Sequence, residues 1–283
     1  MQRAIDAKAA ASQAEIYDAR FVPALFAGWG PVVAKAAGAG PGDVVLDVGC
    51  GTGALTAAAA AAVGPEGAVV GLDANPEMLA VARRKPFQAR WREGRAEALP
   101  FEDAAFDAVM SQFACMFFDD RLAALREMLR VLKPGGCMAV AVCDGLDRSP
   151  AYAAFADLLQ RLFGQEVRDA FAAPFVLGDM DALQGLAVAA RLPAARVWRR
   201  QGKARFASIA DLVSAERACA WTLGGLLDDS QFQRLAAAAE TALAAFTAPD
   251  GAIEFDMPAL VLTAEKPGRM AEDRLTAREN EDA

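Results

Sequence analysis

The 283-residue chain is long enough for one well-buried α/β domain with an appended subdomain, and too short to favour two full domains. Its 37 acidic side chains outnumber its 29 basic ones, and the formal charge of −8 disfavours a nucleic-acid partner, whose phosphates need cations. The chain has no histidine, the commonest metal ligand and general base, and its five cysteines form no C-x-x-C pair. We therefore expect no metal, and reduced thiols in a cytoplasmic protein.

Residues 1–40 predict a helical cap of mixed charge that lacks the apolar stretch of a secretory signal. From about residue 43, short apolar runs alternate with helical segments, which is typical of βαβ units and a parallel sheet. The most apolar run, 54–64, is far shorter than a membrane span. Strands are predicted at 44–48, 68–73, 88–93, 106–111 and 137–143, and helices between them at 54–63, 76–85 and 119–132.

The pattern changes after Asp144, where helices predominate. They are predicted from about 150, at 179–191, at 208–219 and at 229–247, with strands at 194–206 and 253–266. We expect residues 41–266 to form one domain in which the segments at about 150–190 and 208–247 are an inserted helical lid. The alternative for these helices is a surface for a homodimer. Residues 267–283 are charged, lack large apolar side chains and are expected to be disordered.

The stretch VLDVGCGTGALT at 45–56 places Gly49, Gly51 and Gly53 between a strand and a helix, where a bound group can approach the backbone. These glycines fit a nicotinamide dinucleotide, S-adenosylmethionine or an ordinary tight turn. Two acids separate the alternatives. Asp47 lies in the strand, where it can face the cationic amino group of a bound amino acid but would repel a diphosphate. Asp73 ends the next strand, where a carboxylate can hold ribose hydroxyls.

Four blocks in order resemble class I S-adenosylmethionine-dependent methyltransferases, of the subgroup similar to the ubiquinone and menaquinone biosynthesis enzymes. They are VLDVGCGTG (45–53), VVGLDANPEML (69–79), EGRAEALPFEDAAFDAVMSQFACMFFDD (93–120) and LREMLRVLKPGG (125–136). The resemblance implies a Rossmann-like α/β fold whose seven-stranded sheet is mostly parallel, with one antiparallel strand at its edge. It also implies S-adenosyl-L-methionine as the cofactor and a small-molecule substrate.

The resemblance further implies which residues contact the cofactor. Glycines 49, 51 and 53 with Asp47 would line its methionine end, Asp73 would hold the ribose, and the other positions would surround the adenine, the sulfonium or the methionine. These other positions are Tyr17, Ala74, Met78, Ala96, Glu97, Ser111 and Gln112. One position departs from the family, because Arg95 stands where many relatives have an acid that accepts a hydrogen bond from the adenine amino group. Glu97, a backbone carbonyl or water would then accept it, and Arg95 would be solvated.

A sulfonium methyl group is already activated, so the enzyme mainly holds a nucleophile in line and excludes water. The lack of histidine favours N- or C-methylation or an anionic acceptor, and leaves O-methylation open through Asp, Glu or Tyr. Asp144, Glu216 and Tyr17 are the candidate proton acceptors or orienting groups. A small apolar or aromatic acceptor is expected, because apolar side chains follow the strand ends. The candidate acceptor-binding residues are Phe21, Trp29, Phe113, Met116, Phe117, Tyr152 and Trp221. The rival functions are a nicotinamide-dependent oxidoreductase and a catalytically inactive cofactor-binding module.

Overall fold

A computed structural model describes residues 12–219 and 222–268 of the chain. Nine strands are present: β1 Val44–Val48, β2 Ala68–Asp73, β3 Arg90–Glu93, β4 Phe106–Gln112, β5 Leu132–Cys143, β6 Arg196–Arg200, β7 Lys203–Phe206, β8 Ile253–Asp256 and β9 Ala259–Glu265. The α-helices are α1 Gln13–Phe21, α2 Gly30–Ala36, α3 Ala54–Val63, α4 Pro76–Ala82, α5 Arg121–Val131, α6 Pro150–Phe163, α7 Gln165–Ala172, α8 Met180–Ala189, α9 Ile209–Ala218 and α10 Asp229–Ala242.

Seven of the strands form one sheet in the order β3-β2-β1-β4-β5-β9-β6. The pairs from β3 to β5 are parallel, whereas β9 runs antiparallel to both β5 and β6. The prediction of a mostly parallel seven-stranded sheet with one antiparallel strand is therefore confirmed. The antiparallel strand lies one position in from the edge, however, because β6 pairs with its outer side.

Alternation along the central strands gives the sheet two buried faces. Val45 packs with α2 and α3 on one face, and its neighbour Leu46 packs with the larger cluster on the other face. Both side chains are fully buried, as are Val109 and Val140 on the adjacent strands. The sheet is therefore a rigid layer, and the loops at the carboxyl ends of its parallel strands meet at one edge.

Each of the two long strands predicted late in the chain is divided into two. The run at 194–206 forms β6 and β7, and the run at 253–266 forms β8 and β9, so that β7 and β8 make a separate antiparallel pair. Gly202 lies at the first break, where a Cβ would be 2.4 Å from the Trp29 ring. Pro258 lies at the second break, where its missing N–H cannot join a ladder. Periodicity does not show such breaks, since both halves remain extended.

The N-terminal segment crosses the carboxyl edge of the sheet. Helix α1 begins at a capping box of Ser12 and Glu15, and a single π-helical turn, Val22–Phe26, follows it. Ion pairs tie α1 to its neighbours on both sides: Lys85 bonds Asp18 and Arg84 bonds Glu15 beyond the end of α4, and Arg20 bonds Asp211 of α9.

The predicted helical segments occur after β5, with α7 as an additional helix that periodicity did not separate from α6. Residues 1–11 of the predicted cap, Trp221, and the predicted tail from residue 269 onward lie outside the described residues. Among the helices of 12–219 and 222–268, none is by itself long and apolar enough to cross a membrane. The bent pair Gln165–Phe175 and Met180–Ala189 has the length and composition of a broken span.

Candidate active site

A cavity of about 490 Å³ opens at the carboxyl edge of the parallel strands. Its polar end is formed by the loops that follow β1, β2 and β3, and its apolar end by α1, the π-helical turn, the loop after β4, and the helices α6, α7 and α9. One continuous cavity therefore joins a polar compartment to an apolar one. This arrangement suits two ligands that must meet.

The turn after β1 is the floor of the polar end. Gly49, Gly51 and Gly53 have φ angles of 71°, 54° and 91°, which side-chain-bearing residues rarely adopt. A Cβ on Gly49 would lie 2.4 Å from the Cβ of Ala114, whereas a Cβ on Gly51 would have no atom within 4 Å. Gly51 therefore leaves its backbone open to the cavity, and Gly53, which does not line the cavity, packs against Trp91.

Asp73 ends β2 and closes this turn. Its carboxylate accepts hydrogen bonds of 2.8 Å from the backbone N–H groups of Gly51 and Asn75. Burial raises the pKa of Asp73, and the backbone hydrogen bonds partly offset this effect. Each carboxylate oxygen keeps acceptor capacity, and the side chain faces the cavity. Asp73 can therefore hold hydroxyl groups of a ligand while it shapes the loop.

Asp47 is a buried carboxyl with one partner missing. Its side chain is fully buried, and the Thr56 hydroxyl donates a hydrogen bond of 2.6 Å to Oδ2. Within the described part of the chain, Asp47 Oδ1 has no hydrogen-bond partner, and neither do Thr52 Oγ1 and Gln112 Oε1 nearby on the cavity lining. Burial raises the pKa of Asp47 to about 7. A cationic or hydrogen-bond-donating ligand would satisfy these acceptors.

Most of the predicted cofactor residues line the polar end together. Besides the turn, these are Tyr17, Ala74, Met78, Ala96, Glu97 and Gln112. Ser111 lies outside the lining because it is fully buried within β4. Their contacts with a cofactor stay a prediction, since the cavity shows position alone.

Arg95 is solvent-exposed, as expected, but it is also paired. Its guanidinium bonds the carboxylate of Asp119, and its Nε lies 3.4 Å from Glu97 Oε2. The backbone N–H of Asp119 also donates to Glu97 Oε1 at 2.9 Å. The unusual arginine thus ties the loop after β3 to the loop after β4 at the rim of the cavity. No local pattern indicates this pairing, because 24 positions separate Arg95 from Asp119.

Five of the seven predicted acceptor residues line the apolar end. They are Phe21, Phe113, Met116, Phe117 and Tyr152. Trp29 is not among the lining residues, because its ring packs against Gly202 and edge-on against Phe113. The sequence analysis missed Leu25, Phe26, Phe171, Phe175, Cys143, Cys219 and Met257. Cys143 ends β5 and Met257 lies between β8 and β9, whereas the others belong to apolar helical segments that the sequence shows. Which of them face the cavity depends on the packing.

The three candidate proton acceptors have different surroundings. Asp144 is buried outside the cavity, where Arg199 bonds both of its oxygens, so the structure does not bring it to the site. Glu216 lines the apolar end, and burial raises its pKa to about 8. Tyr17 lies between the two ends, and burial raises its pKa further above the ordinary value, which leaves it a neutral hydrogen-bonding group. Within 12–219 and 222–268, no group of three potential metal ligands is present.

Comparisons with known proteins agree with this geometry. Residues 45–136 match the family described as a methyltransferase domain. The 2-phytyl-1,4-beta-naphthoquinone methyltransferase of Arabidopsis thaliana chloroplasts is 42% identical over 120 residues, covering 40% of this chain and 46% of that protein. A demethylmenaquinone methyltransferase of Staphylococcus aureus is 45% identical over 111 residues, covering 38% and 46%. The chain thus matches less than half the length of these curated relatives.

A solved structure extends the likeness to most of the chain. The YcgJ protein of Bacillus subtilis superposes with a TM-score of 0.56 at 23% identity, covering 85% of this chain and 98% of that one. This likeness concerns the fold, whereas the family match concerns the residues of the glycine turn, Asp73 and the strands around them. Residues 45–136 of the chain therefore match a methyltransferase domain, within a fold that the YcgJ protein shares.

Proposed function

We propose that this protein binds S-adenosylmethionine in the polar end of the cavity and transfers its methyl group to a small apolar or aromatic acceptor in the other end. The observation that carries the proposal is the buried Asp47, whose Oδ1 lacks a partner above a glycine turn open to the cavity. A buried carboxylate without a partner is costly, and the amino group of an amino-acid ligand would relieve that cost.

The donor and acceptor groups of the polar end fit this cofactor. Asp47 would hold the amino group, the open backbone at Gly51 would contact the methionine portion, and Asp73 would accept hydrogen bonds from the ribose hydroxyls. Met78 and Ala96 provide buried apolar surface for the adenine. S-adenosylmethionine supplies a methyl group already activated on a sulfonium. The residues of the chain therefore need to bind, orient and exclude water.

A nicotinamide dinucleotide fits less well. Its diphosphate would lie over the same turn, where the buried carboxylate of Asp47, when ionised, would repel it. The Arg95 guanidinium at the rim is already paired with Glu97 and Asp119, so it offers no unbalanced positive charge.

The acceptor is proposed from the apolar end. Its wall combines rings from the N-terminal segment with Tyr152, Phe171 and Phe175, and such a wall favours a flat or aliphatic molecule. The relatives named above carry quinone methyltransferase names, which supports an aromatic acceptor. Their likeness covers at most 40% of this chain, so the choice among aromatic or apolar acceptors rests on the cavity itself. Helices α6, α7 and α9 would serve as the lid over it.

The decisive experiment measures cofactor binding by calorimetry. Wild-type protein is expected to bind S-adenosylhomocysteine and not NADH, and Gly51→Val should lose at least about tenfold in affinity because its side chain fills the space for the ligand. Gly251→Val is the matched control, since Gly251 also has a positive φ of 85° and no atom within 4 Å, but lies away from the cavity.

Four outcomes would count against parts of the proposal. NADH binding without S-adenosylhomocysteine binding would favour an oxidoreductase, and equal affinity of Gly51→Val and Gly251→Val would remove the glycine turn from the site. Tight S-adenosylhomocysteine binding without methyl transfer from labelled cofactor to a metabolite extract would indicate an inactive binding module. A dimer by light scattering whose assembly is lost on changing α8 or α10, with ligand binding intact, would indicate a subunit interface in place of a lid.

A further inference from the structure

A carboxyl and a phenol face each other at the inner, apolar end of the cavity. Tyr152 lies in the first turn of α6 and Glu216 in the last turn of α9, with exposures of 3% and 4%. The Tyr152 hydroxyl donates a hydrogen bond to the Glu216 carboxylate, which lowers the pKa of the acid and raises that of the phenol. Both side chains line the cavity. The pair is therefore buried from solvent and open to a ligand.

No cation balances Glu216. Among the ion pairs of residues 12–219 and 222–268, none includes it, and the basic side chains on the elements packed against α9 are paired elsewhere. Arg20 pairs with Asp211, Arg217 with Asp229, and Lys203 and Arg205 with Glu254, while Arg234 of α10 lies over the Phe163 ring. The titratable groups nearest to Glu216 on the cavity lining are Tyr17, Tyr152, Cys143 and Cys219, and burial raises the pKa of Tyr17, Tyr152 and Cys143, so these three are neutral near pH 7. The polar end adds Asp47, Cys50, Asp73, Glu97, Asp119 and Arg95, and Arg95 is paired with Glu97 and Asp119.

A buried carboxyl group without a counter-ion destabilises the folded protein. Burial without a counter-ion raises the pKa of Glu216 to about 8. At neutral pH the folded protein therefore keeps a proton on Glu216 that the unfolded chain releases, which lowers the stability of the fold. An apolar side chain in the same place would avoid this cost, and the surrounding Phe171, Phe175 and Met257 show that the environment is otherwise apolar. A destabilising acid that faces a cavity points to contact with a ligand.

The geometry limits what that ligand can present. Above about pH 8, where Glu216 is ionised, it would repel an anion. A buried ammonium has three N–H donors and needs several acceptors, whereas the Tyr152 hydroxyl is already directed at Glu216. The other lining residues of this end are thiols, rings, other apolar side chains and Thr222, whose hydroxyl donates to the Cys219 carbonyl. A hydroxyl donates a single hydrogen bond, which one carboxylate oxygen can accept. An acidic hydroxyl on an apolar body is the group that matches.

We propose that Glu216 is the proton acceptor for a phenolic or enolic hydroxyl of the methyl acceptor, and that Tyr152 is a positioning residue that aims the carboxylate at it. This proposal rests on the proposed function. The O–H bond of the acceptor breaks, its electron pair stays on the acceptor oxygen, and the proton forms a new O–H bond with a Glu216 carboxylate oxygen. The acceptor becomes an oxyanion, nucleophilic at oxygen or at a conjugated carbon. Glu216 releases the proton to solvent after the product leaves.

Tyr17 connects this pair to the methyl-donating end. It lines the same cavity as the pair and lies near Asp73 on the polar side and near Cys143 and Cys219 on the apolar side, and these two cysteines also lie near Tyr152. The oxyanion made at Glu216 would therefore form in the compartment next to the cofactor rather than in a separate pocket.

The test uses three probes with the full chain and S-adenosylhomocysteine: 4-nitrophenol, 4-nitroanisole, in which the hydroxyl is capped, and benzylamine. We expect wild-type protein to bind 4-nitrophenol at least about tenfold more tightly than 4-nitroanisole. The visible absorption of the bound phenolate should persist to lower pH than that of the free probe, because the proton moves to Glu216. Glu216→Gln should reduce the preference to less than about threefold and let the bound probe titrate like the free one.

Two further variants separate the roles. Tyr152→Phe should keep the preference but shift the titration of the bound probe to lower pH, because Glu216 without the donated hydrogen bond is a stronger base. A merely structural tyrosine would not move this titration. Glu240→Gln, on the exposed side of α10, is the matched control and should behave as wild type.

Several results would overturn the proposal. They are equal affinity of wild-type protein for 4-nitrophenol and 4-nitroanisole, no detectable binding of 4-nitrophenol, survival of the preference in Glu216→Gln, or tighter binding of benzylamine that depends on Glu216, which would indicate an amine acceptor. Binding of S-adenosylhomocysteine is measured on the same samples. Its loss in the wild type would refute the proposed function, whereas its retention with a failed probe test would refute the role of Glu216 alone.

Discussion

Replacing Glu216 with glutamine should stabilise the protein increasingly as the pH rises. The pKa of this acid rises on folding from the ordinary 4.5 to about 8 because the side chain is buried. Between these pH values the folded chain binds a proton that the unfolded chain has released, so wild-type stability falls as the pH rises through the window and levels off above about pH 8. Glutamine has no proton to lose and can still accept the hydrogen bond from Tyr152.

The size of the effect follows from the pKa difference. At about 1.4 kcal/mol per pKa unit, the rise from 4.5 to about 8 corresponds to about 5 kcal/mol of unfolding free energy. Near pH 5 most of this penalty is absent, because the unfolded acid is itself partly protonated. The variant should therefore exceed wild type by about 1 kcal/mol at pH 5 and by about 4 to 5 kcal/mol at pH 9.

Denaturant unfolding at pH 5, 7 and 9, followed by circular dichroism, measures this difference directly. The raised pKa values of Asp47 and Asp73 affect both proteins alike and cancel in the comparison. Glu240→Gln on the surface should show no growing difference with pH. The reasoning about Glu216 would be refuted by a difference between Glu216→Gln and wild type that stays constant, or shrinks, from pH 5 to pH 9.

Three further predictions concern other parts of the site. Gly49→Ala should cost about 2 to 4 kcal/mol in urea unfolding, since alanine resists the positive φ and its Cβ meets Ala114; adding Ala114→Gly should recover the part due to the clash, and no recovery would contradict it. Asp47→Asn should weaken S-adenosylhomocysteine binding, measured by calorimetry, about 10- to 100-fold at pH 8 and much less at pH 5.5. The reason is that wild-type Asp47 itself becomes neutral below about pH 7, so a loss of affinity that does not depend on pH would contradict this prediction. Arg199→Met should destabilise the fold by about 2 to 3 kcal/mol in thermal unfolding, because it leaves the buried Asp144 without its main partner. Adding Asp144→Asn should restore most of that stability, whereas additive losses from the two changes would argue against the pairing.

The glycine turn could be predicted from the sequence because its conformation is local. Gly49, Gly51 and Gly53 directly follow an apolar strand and precede a helix, so backbone freedom and burial fix the turn within a few residues. The alternation of strands and helices likewise predicted the parallel half of the sheet. The order of the last strands could not be predicted from local sequence. Strand β9 pairs antiparallel with both β5 and β6 and lies between them, and this pairing joins segments that are distant along the chain.

The residues that the sequence analysis misplaced are those whose partners are distant along the chain. Asp144 follows a strand at the expected edge, yet Arg199, 55 positions later, holds its carboxylate away from the cavity. Trp29 has the composition of a binding residue, but the absence of a side chain at Gly202 gives its ring a packing place. Arg95 differs from its family counterparts and forms a bridge between two loops. In each case the pairing depends on the assembled fold, which one sequence position does not encode.

The π-helical turn at Val22–Phe26 belongs to the N-terminal segment that covers the cavity, here called its roof. This turn allows the shape of the roof to change while the sheet stays the same. In this turn the N–H of Ala27 bonds the carbonyl of Val22, five positions earlier, so it contains one residue more than an α-helical turn. Losing that residue would rotate Tyr17 and Phe21 by about 100° relative to Trp29, since an α-helix turns once in 3.6 residues. A single-codon deletion is thus enough to give the same strands and the same glycine turn a differently shaped roof, and with it a different range of acceptors.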